Sequence, residues 1–163
     1  MLPTELTEPA RRVGTLLRTR GETVAVAEGS AGGLVSAALL SVPGASAYYL
    51  GGAVVYTVAA VRAWMAGPVD MPKGMRGATE PFADYLARSS AAHLGTTWGI
   101  GEAGAAGPAN PYGDPAGHSW VAVSGPVCRT RHVLTGVDER EQNMVAFAVA
   151  ALALLEEVLN DLD

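Results

Sequence analysis

Cysteine is almost absent from this 163-residue sequence: Cys128 is the only one, so no intrachain disulfide can form and nothing points to an oxidising compartment. Lysine is equally scarce, with Lys73 alone. The 11 Lys and Arg against 16 Asp and Glu leave a formal net charge of −5, and no basic cluster marks a stripe for phosphate backbones. Nucleic acid is therefore not an expected partner. The three histidines, His93, His118 and His132, show no ligand spacing, so neither a metal nor another cofactor is expected. The N-terminal stretch MLPTELTEPARR lacks the apolar core of a signal sequence. Long apolar runs are missing too, save MVAFAVAALALLEEVL near the C-terminus, which Glu156 and Glu157 interrupt. It reads as a buried helix rather than a membrane span. The expectation is a cytoplasmic protein without membrane contact.

What remains is an ordinary globular composition, 49% hydrophobic and 17% charged, in a length suited to a single domain over 1–163. A helix is expected over about 5–20, with Leu6, Val13, Leu16 and Leu17 near one face and Gly21 ending it. Thr7 could cap a later start, with Pro9 in the first turn. The stretch ETVAVAE then reads as a strand apolar on both faces, as in a covered sheet. It stops at Glu28-Gly29-Ser30-Ala31-Gly32-Gly33, and LVSAALLSV follows as a helix. Further strands are expected at 52–56, 96–101, 118–124 and 127–134, and further helices at about 58–65, 79–93 and 138–159, with Thr79 as a cap. The segment EAGAAGPANPYGDPAG, dense in Gly and Pro, is not expected to hold regular structure for long. This order of elements calls for a layered α/β sandwich, and the final hairpin makes its sheet mixed.

Several residues could carry chemistry. The strand, Gly-rich turn and helix start around Gly32 and Gly33 could expose backbone amides to an anion, or could merely let helix and sheet approach closely. Ser30 could cap the helix, bond a ligand phosphate, or act as a nucleophile if a base takes its proton. Lys73, in a long loop, has no derivable reach to it. Tyr56 ends the second strand, with its ring in the core and hydroxyl at the rim, or in a pocket wall. Arg140, in the first turn of the last helix, is either a solvated charge or a bidentate clamp for phosphate or carboxylate. His118 is the histidine best placed for a pocket, and Cys128 reads as a small hydrophobe.

Five ordered motifs resemble a known family. Ala27-Glu28-Gly29-Ser30-Ala31-Gly32-Gly33 is similar to its Ala-Glu-Ser-Cys-Thr-Gly-Gly, and Val42-Pro43-Gly44-Ala45-Ser46-Ala47-Tyr48-Tyr49-Leu50-Gly51-Gly52 to its Val-Pro-Gly-Ser-Ser-x-Tyr-Phe-x-Gly-Gly. Val55-Tyr56-Thr57 resembles its Ala-Tyr-Ser, Gly104-Ala105-Ala106-Gly107-Pro108 its Gly-Ile-Ala-Gly-Pro, and Asp138-Glu139-Arg140-Glu141 its Gly-Asp-Arg-Glu. The resemblance, over about 6–160, is to the C-terminal, nicotinamide-nucleotide amidase-like domain of the competence/damage-inducible family. It implies a three-layer α/β/α sandwich with a mixed, mostly parallel sheet. It also implies deamidation of nicotinamide mononucleotide to nicotinate mononucleotide and ammonia, by a serine assisted by a lysine and a tyrosine, with a threonine and an arginine in the same pocket. In this sequence Gly29 stands at the serine, Ser30 at the cysteine, Val61 at the lysine and Ala103 at the threonine, while Tyr56 and Arg140 are retained. Glycine has no hydroxyl to attack a carboxamide, and valine can accept no proton. The resemblance thus leaves Ser30 and Tyr56 as catalytic candidates. Glu28, Gly32, Gly33, Gly104, Gly107 and Arg140 are candidates for holding a small phosphorylated nucleotide. The apolar breadth of the last helix also suggests a homo-oligomer.

Overall fold

The computed structural model describes residues 1–163. Helix α1 (Thr4–Arg20) buries Leu6, Ala10, Val13 and Leu17, which recur at helical spacing. Gly21, at φ 66°, closes it by donating its amide to Arg18 O, while the Glu22 amide reaches Leu17 O. Thr7 is not its cap: the helix starts at Thr4 after Pro3, and Pro9 lies within it. Strand β1 (Val24–Glu28) is wholly buried and sits inside a five-stranded sheet of order β2-β1-β3-β4-β5. The others are β2 (Tyr49–Val54), β3 (Trp98–Ala105), β4 (His118–Ser124) and β5 (Arg129–Leu134). Because β1 pairs parallel with β2 and β3, while β3–β4 and β4–β5 are antiparallel, only β4 runs against the rest. The sheet is mixed and mostly parallel.

Two expected strands move. The second starts at Tyr49 rather than Gly52, because Val24 to Glu28 of β1 pair with Tyr49 to Val54; Tyr56 consequently lies beyond the strand and is exposed. The third continues to Ala105, since Glu102, Ala103, Gly104 and Ala105 pair with Val121, Trp120, Ser119 and His118 of β4. The first quarter of the segment that reads as irregular, Glu102 to Ala105, is therefore strand.

Helices cover both faces. On one side α1, α2 (Leu34–Leu40) and α5 (Arg140–Asp161) enclose a core with Val24, Val26, Trp98, Ile100, Val121 and Val123 of the sheet. On the other, α3 (Val58–Trp64) and α4 (Glu80–Leu94) pack over Ala27, Ala103 and Ala122. Here the sheet is stripped of side chains: a Cβ on Gly99 would lie 1.9 Å from Ala87 O, and one on Gly101 2.0 Å from Ala83 O. The α4 backbone rests directly on β3. Thr79 precedes α4, but its hydroxyl donates to Arg76 O and caps no amide. Helix α5 is long and apolar enough by length and composition to cross a membrane, yet Phe147, Leu152, Leu155 and Leu159 are fully buried in the core.

Candidate active-site crevice

Strand β1 ends at Glu28, in register with Glu102 in the middle of β3, and both carboxylates are buried. Each gathers part of the loop that follows β1. Glu28 Oε1 accepts from the amides of Gly33 (2.8 Å) and Val35 (3.1 Å), and its Oε2 from the Ser36 amide and hydroxyl (both 2.9 Å). A protein carboxylate thus occupies the start of α2, where Gly33 offers no side-chain cap. Glu102 Oε2 accepts from the amides of Gly29 (3.1 Å) and Ala31 (2.8 Å), and its Oε1 from the hydroxyls of Ser30 (2.5 Å) and Ser119 (2.8 Å). Burial pushes both carboxyls above the usual carboxylate range, against the downward pull of these hydrogen bonds; the neighbouring Glu28 charge adds to the rise at Glu102.

This geometry engages four of the expected ligand residues within the fold instead. Glu28 faces the interior and holds α2. The Gly33 amide is taken by Glu28, and the Gly32 amide bonds Gly29 O at 3.0 Å, so neither offers a donor to an anion. Gly104 is a strand residue, and a Cβ there would come within 2.6 Å of Ser119 Cβ and 2.8 Å of Ser30 Oγ. Its small size lets the two hydroxyls converge on Glu102.

The other candidates do assemble. Ser30 opens into a small pocket of about 50 Å³, lined also by Gly29, Val55, Tyr56, Gly77, Ala78, Phe82, Ala103 and Gly104. Tyr56 is 61% exposed at its mouth. Arg140, the first residue of α5, donates through Nη2 to the Tyr56 hydroxyl at 2.8 Å and through Nη1 to Gly107 O, and its guanidinium carbon lies 5.9 Å from the Tyr56 ring centre. Ser30, Tyr56, Gly107 and Arg140 therefore border one crevice at the ends of parallel strands, a usual location for ligands in such sheets.

Lys73 is elsewhere. It lines a separate cavity of about 570 Å³ between α3 and the following loop, which shares no lining residue with the Ser30 pocket. Val61 is buried among Val55, Met65 and Phe82. His118 stands behind the pocket wall: its Nε2 donates to Ala78 O at 2.9 Å, and its Nδ1 meets His132 Nε2 at 2.7 Å. Cys128 is exposed rather than packed, because β5 begins only at Arg129. No three His, Cys, Asp or Glu side chains converge as a metal centre needs.

Sequence reasoning missed Glu102, Ser119 and Asn143. A charge inside the otherwise apolar WGIGEAGA was the available signal for Glu102. Asn143 donates to Ala106 O and Val137 O and accepts from the Thr135 hydroxyl, which fixes α5, and with it Arg140, beside the crevice.

Comparison with known proteins bears on the fold and the family. The structure superposes on a competence-damaged protein (CinA) superfamily protein from Klebsiella pneumoniae 700603 with a TM-score of 0.87, at 25% identity, covering 96% of this chain and 98% of the other. A competence/damage-inducible protein from Agrobacterium tumefaciens gives 0.87 and 25%, covering 98% of both chains. A CinA-like protein of Prochlorococcus marinus (strain MIT 9313) is 39% identical over 68% of this chain and 26% of its own length. A putative competence-damage inducible protein of Desulforamulus reducens is 34% identical over 90% of this chain and 36% of its own length. The chain thus spans about a quarter to a third of these two curated relatives. The family model of the CinA C-terminal domain matches residues 6–159, and the chain belongs to that family.

Proposed function

We propose that the crevice binds a small phosphorylated nucleotide of the nicotinamide mononucleotide type, without the amide hydrolysis that the family resemblance implies. The observation that carries this reading is Arg140. It is exposed at the pocket mouth, and its recorded partners, Gly107 O and the Tyr56 hydroxyl, are both neutral. A guanidinium held only by neutral acceptors exchanges them readily for a phosphate, which it meets with two parallel N–H bonds. The exposed Tyr56 ring beside it offers a flat face to a heteroaromatic ring.

Hydrolysis lacks its parts at the positions the resemblance assigns. Gly29 carries no hydroxyl, and Val61 is an apolar core residue. Binding survives such a loss, because a clamp on phosphate and an attack on a carboxamide act on different parts of the molecule.

Calorimetric titration with nicotinamide mononucleotide tests the reading. Arg140→Ala is expected to weaken binding at least about tenfold, since a charge-assisted hydrogen bond contributes about 1.5–3 kcal/mol. Equal affinity of wild type and variant, or no binding by either, would refute it.

A further inference from the structure

Ser30 and Glu102 form a buried hydroxyl–carboxylate pair that nucleotide binding does not use. Ser30 is 5% exposed, Glu102 is fully buried, and Oγ lies 2.5 Å from Oε1. The amides of Gly29 and Ala31 can only donate, so they hold Oε2 and present Oε1 to the hydroxyls of Ser30 and Ser119. The Ser30 proton is thereby directed at a carboxylate, while the residue itself lines the pocket with Tyr56, Ala78 and Phe82. The Ser30 amide has no acceptor in the fold, although its neighbours at Gly29, Ala31, Gly32 and Gly33 are all engaged. A serine with a proton acceptor behind it and a free N–H beside it has the elements of acyl transfer.

We propose that Ser30 is a nucleophile toward activated acyl groups, esters rather than carboxamides, with Glu102 as its proton acceptor. The inference rests on the same crevice being the ligand site. Ser30 Oγ bonds to the carbonyl carbon as its proton passes to Glu102 Oε1. The bond to the leaving oxygen then breaks, and that oxygen takes the proton from Glu102. Water releases the acyl group by the same relay: its oxygen bonds to the carbonyl carbon, its proton goes to Glu102, and the departing Ser30 Oγ recovers it. An ester suits this arrangement because an alkoxide or phenolate leaves far more easily than an unprotonated amide nitrogen. Burial makes Glu102 a stronger base than an exposed carboxylate. Glu28 is the one other charged group acting on it, and it acts in the same direction.

The test is acetylation of the full chain by p-nitrophenyl acetate, located by peptide mass mapping. The acetyl group is expected on Ser30, absent in Ser30→Ala and formed about a hundredfold more slowly in Glu102→Gln. Should Glu102→Gln not fold, the wild-type pH profile decides. The rate must rise with pH through a midpoint above the ordinary carboxylate range. A flat profile, or acetylation confined to Lys73 and the N-terminus, would overturn the inference. Nucleotide binding without Ser30 acetylation sinks this inference alone, and acetylation without nucleotide binding sinks the binding reading alone.

Discussion

Gly29 has room for the side chain it lacks. A Cβ there would meet Glu102 O at 3.5 Å and Val55 O at 3.7 Å, ordinary contacts, and its backbone is not in the left-handed region. Replacing Gly29 by Ser, the residue the resemblance places there, should therefore leave the fold intact. Its midpoint of chemical denaturation should be unchanged or slightly raised, because a side chain restricts the unfolded chain by about 0.4–1 kcal/mol. Gly33 is the opposite case. At φ 96° it holds a conformation that an L side chain resists, and Gly33→Ala should cost about 1–2 kcal/mol on the same measurement. Equal losses for the two variants would contradict the loop geometry. The comparison separates a glycine kept for its backbone from one that marks a missing functional group.

At the scale of elements, the loop that follows β1 is organised by two buried carboxylates, Glu28 at the end of β1 and Glu102 within β3, and this has a consequence for stability. Burial holds Glu28 and Glu102 above their ordinary pKa. Between the ordinary and the raised value the folded state binds more protons than the unfolded one, so stability is lost as pH rises through that window. Glu22 and Asp114 are shifted downward, and their contribution is lost only in acid below the ordinary range. Urea denaturation should accordingly show greater stability at about pH 5.5 than at about pH 8, with the difference reduced in Glu28→Gln. A profile that climbs from the lower to the higher pH would contradict it. These carboxylates also mark where the sequence became hard to read. The bounds of β4 and the character of β1 followed from patterning, because an apolar strand between covered faces has a distinct signature. Strand β2 was displaced because YLGGAV is an edge strand with alternating exposure and two glycines. Strand β3 was cut short because EAGA reads as loop, whereas Gly104 is there so that Ser30 and Ser119 can meet Glu102. The Tyr56–Arg140 side of the crevice was foreseeable through the family motifs. The engagement of the Gly32 and Gly33 amides was not, since the partner carboxylates are fixed only by tertiary register.

On the whole molecule, most of the apolar excess of α5 is absorbed inside the fold, while other apolar side chains stay exposed along the free edge of the sheet. Leu50 and Val54 of β2 are exposed there, and Trp64 and Leu94 border an apolar notch of about 190 Å³ with Gly52 and Ala53. An uncharged edge strand flanked by such residues invites pairing with another chain. We expect at least a dimer by light scattering at micromolar concentration, shifted toward monomer by Leu50→Lys; a wild type that is monomeric throughout would contradict this. The central claim concerns the crevice, where a phosphate clamp remains beside positions at which the expected nucleophile and base are absent. Ammonia release, followed at a nicotinamide mononucleotide concentration that the titration shows to be saturating, tests it most directly. The account predicts a rate no greater than that of the nucleotide in buffer, and steady release of ammonia by the wild-type chain would contradict it.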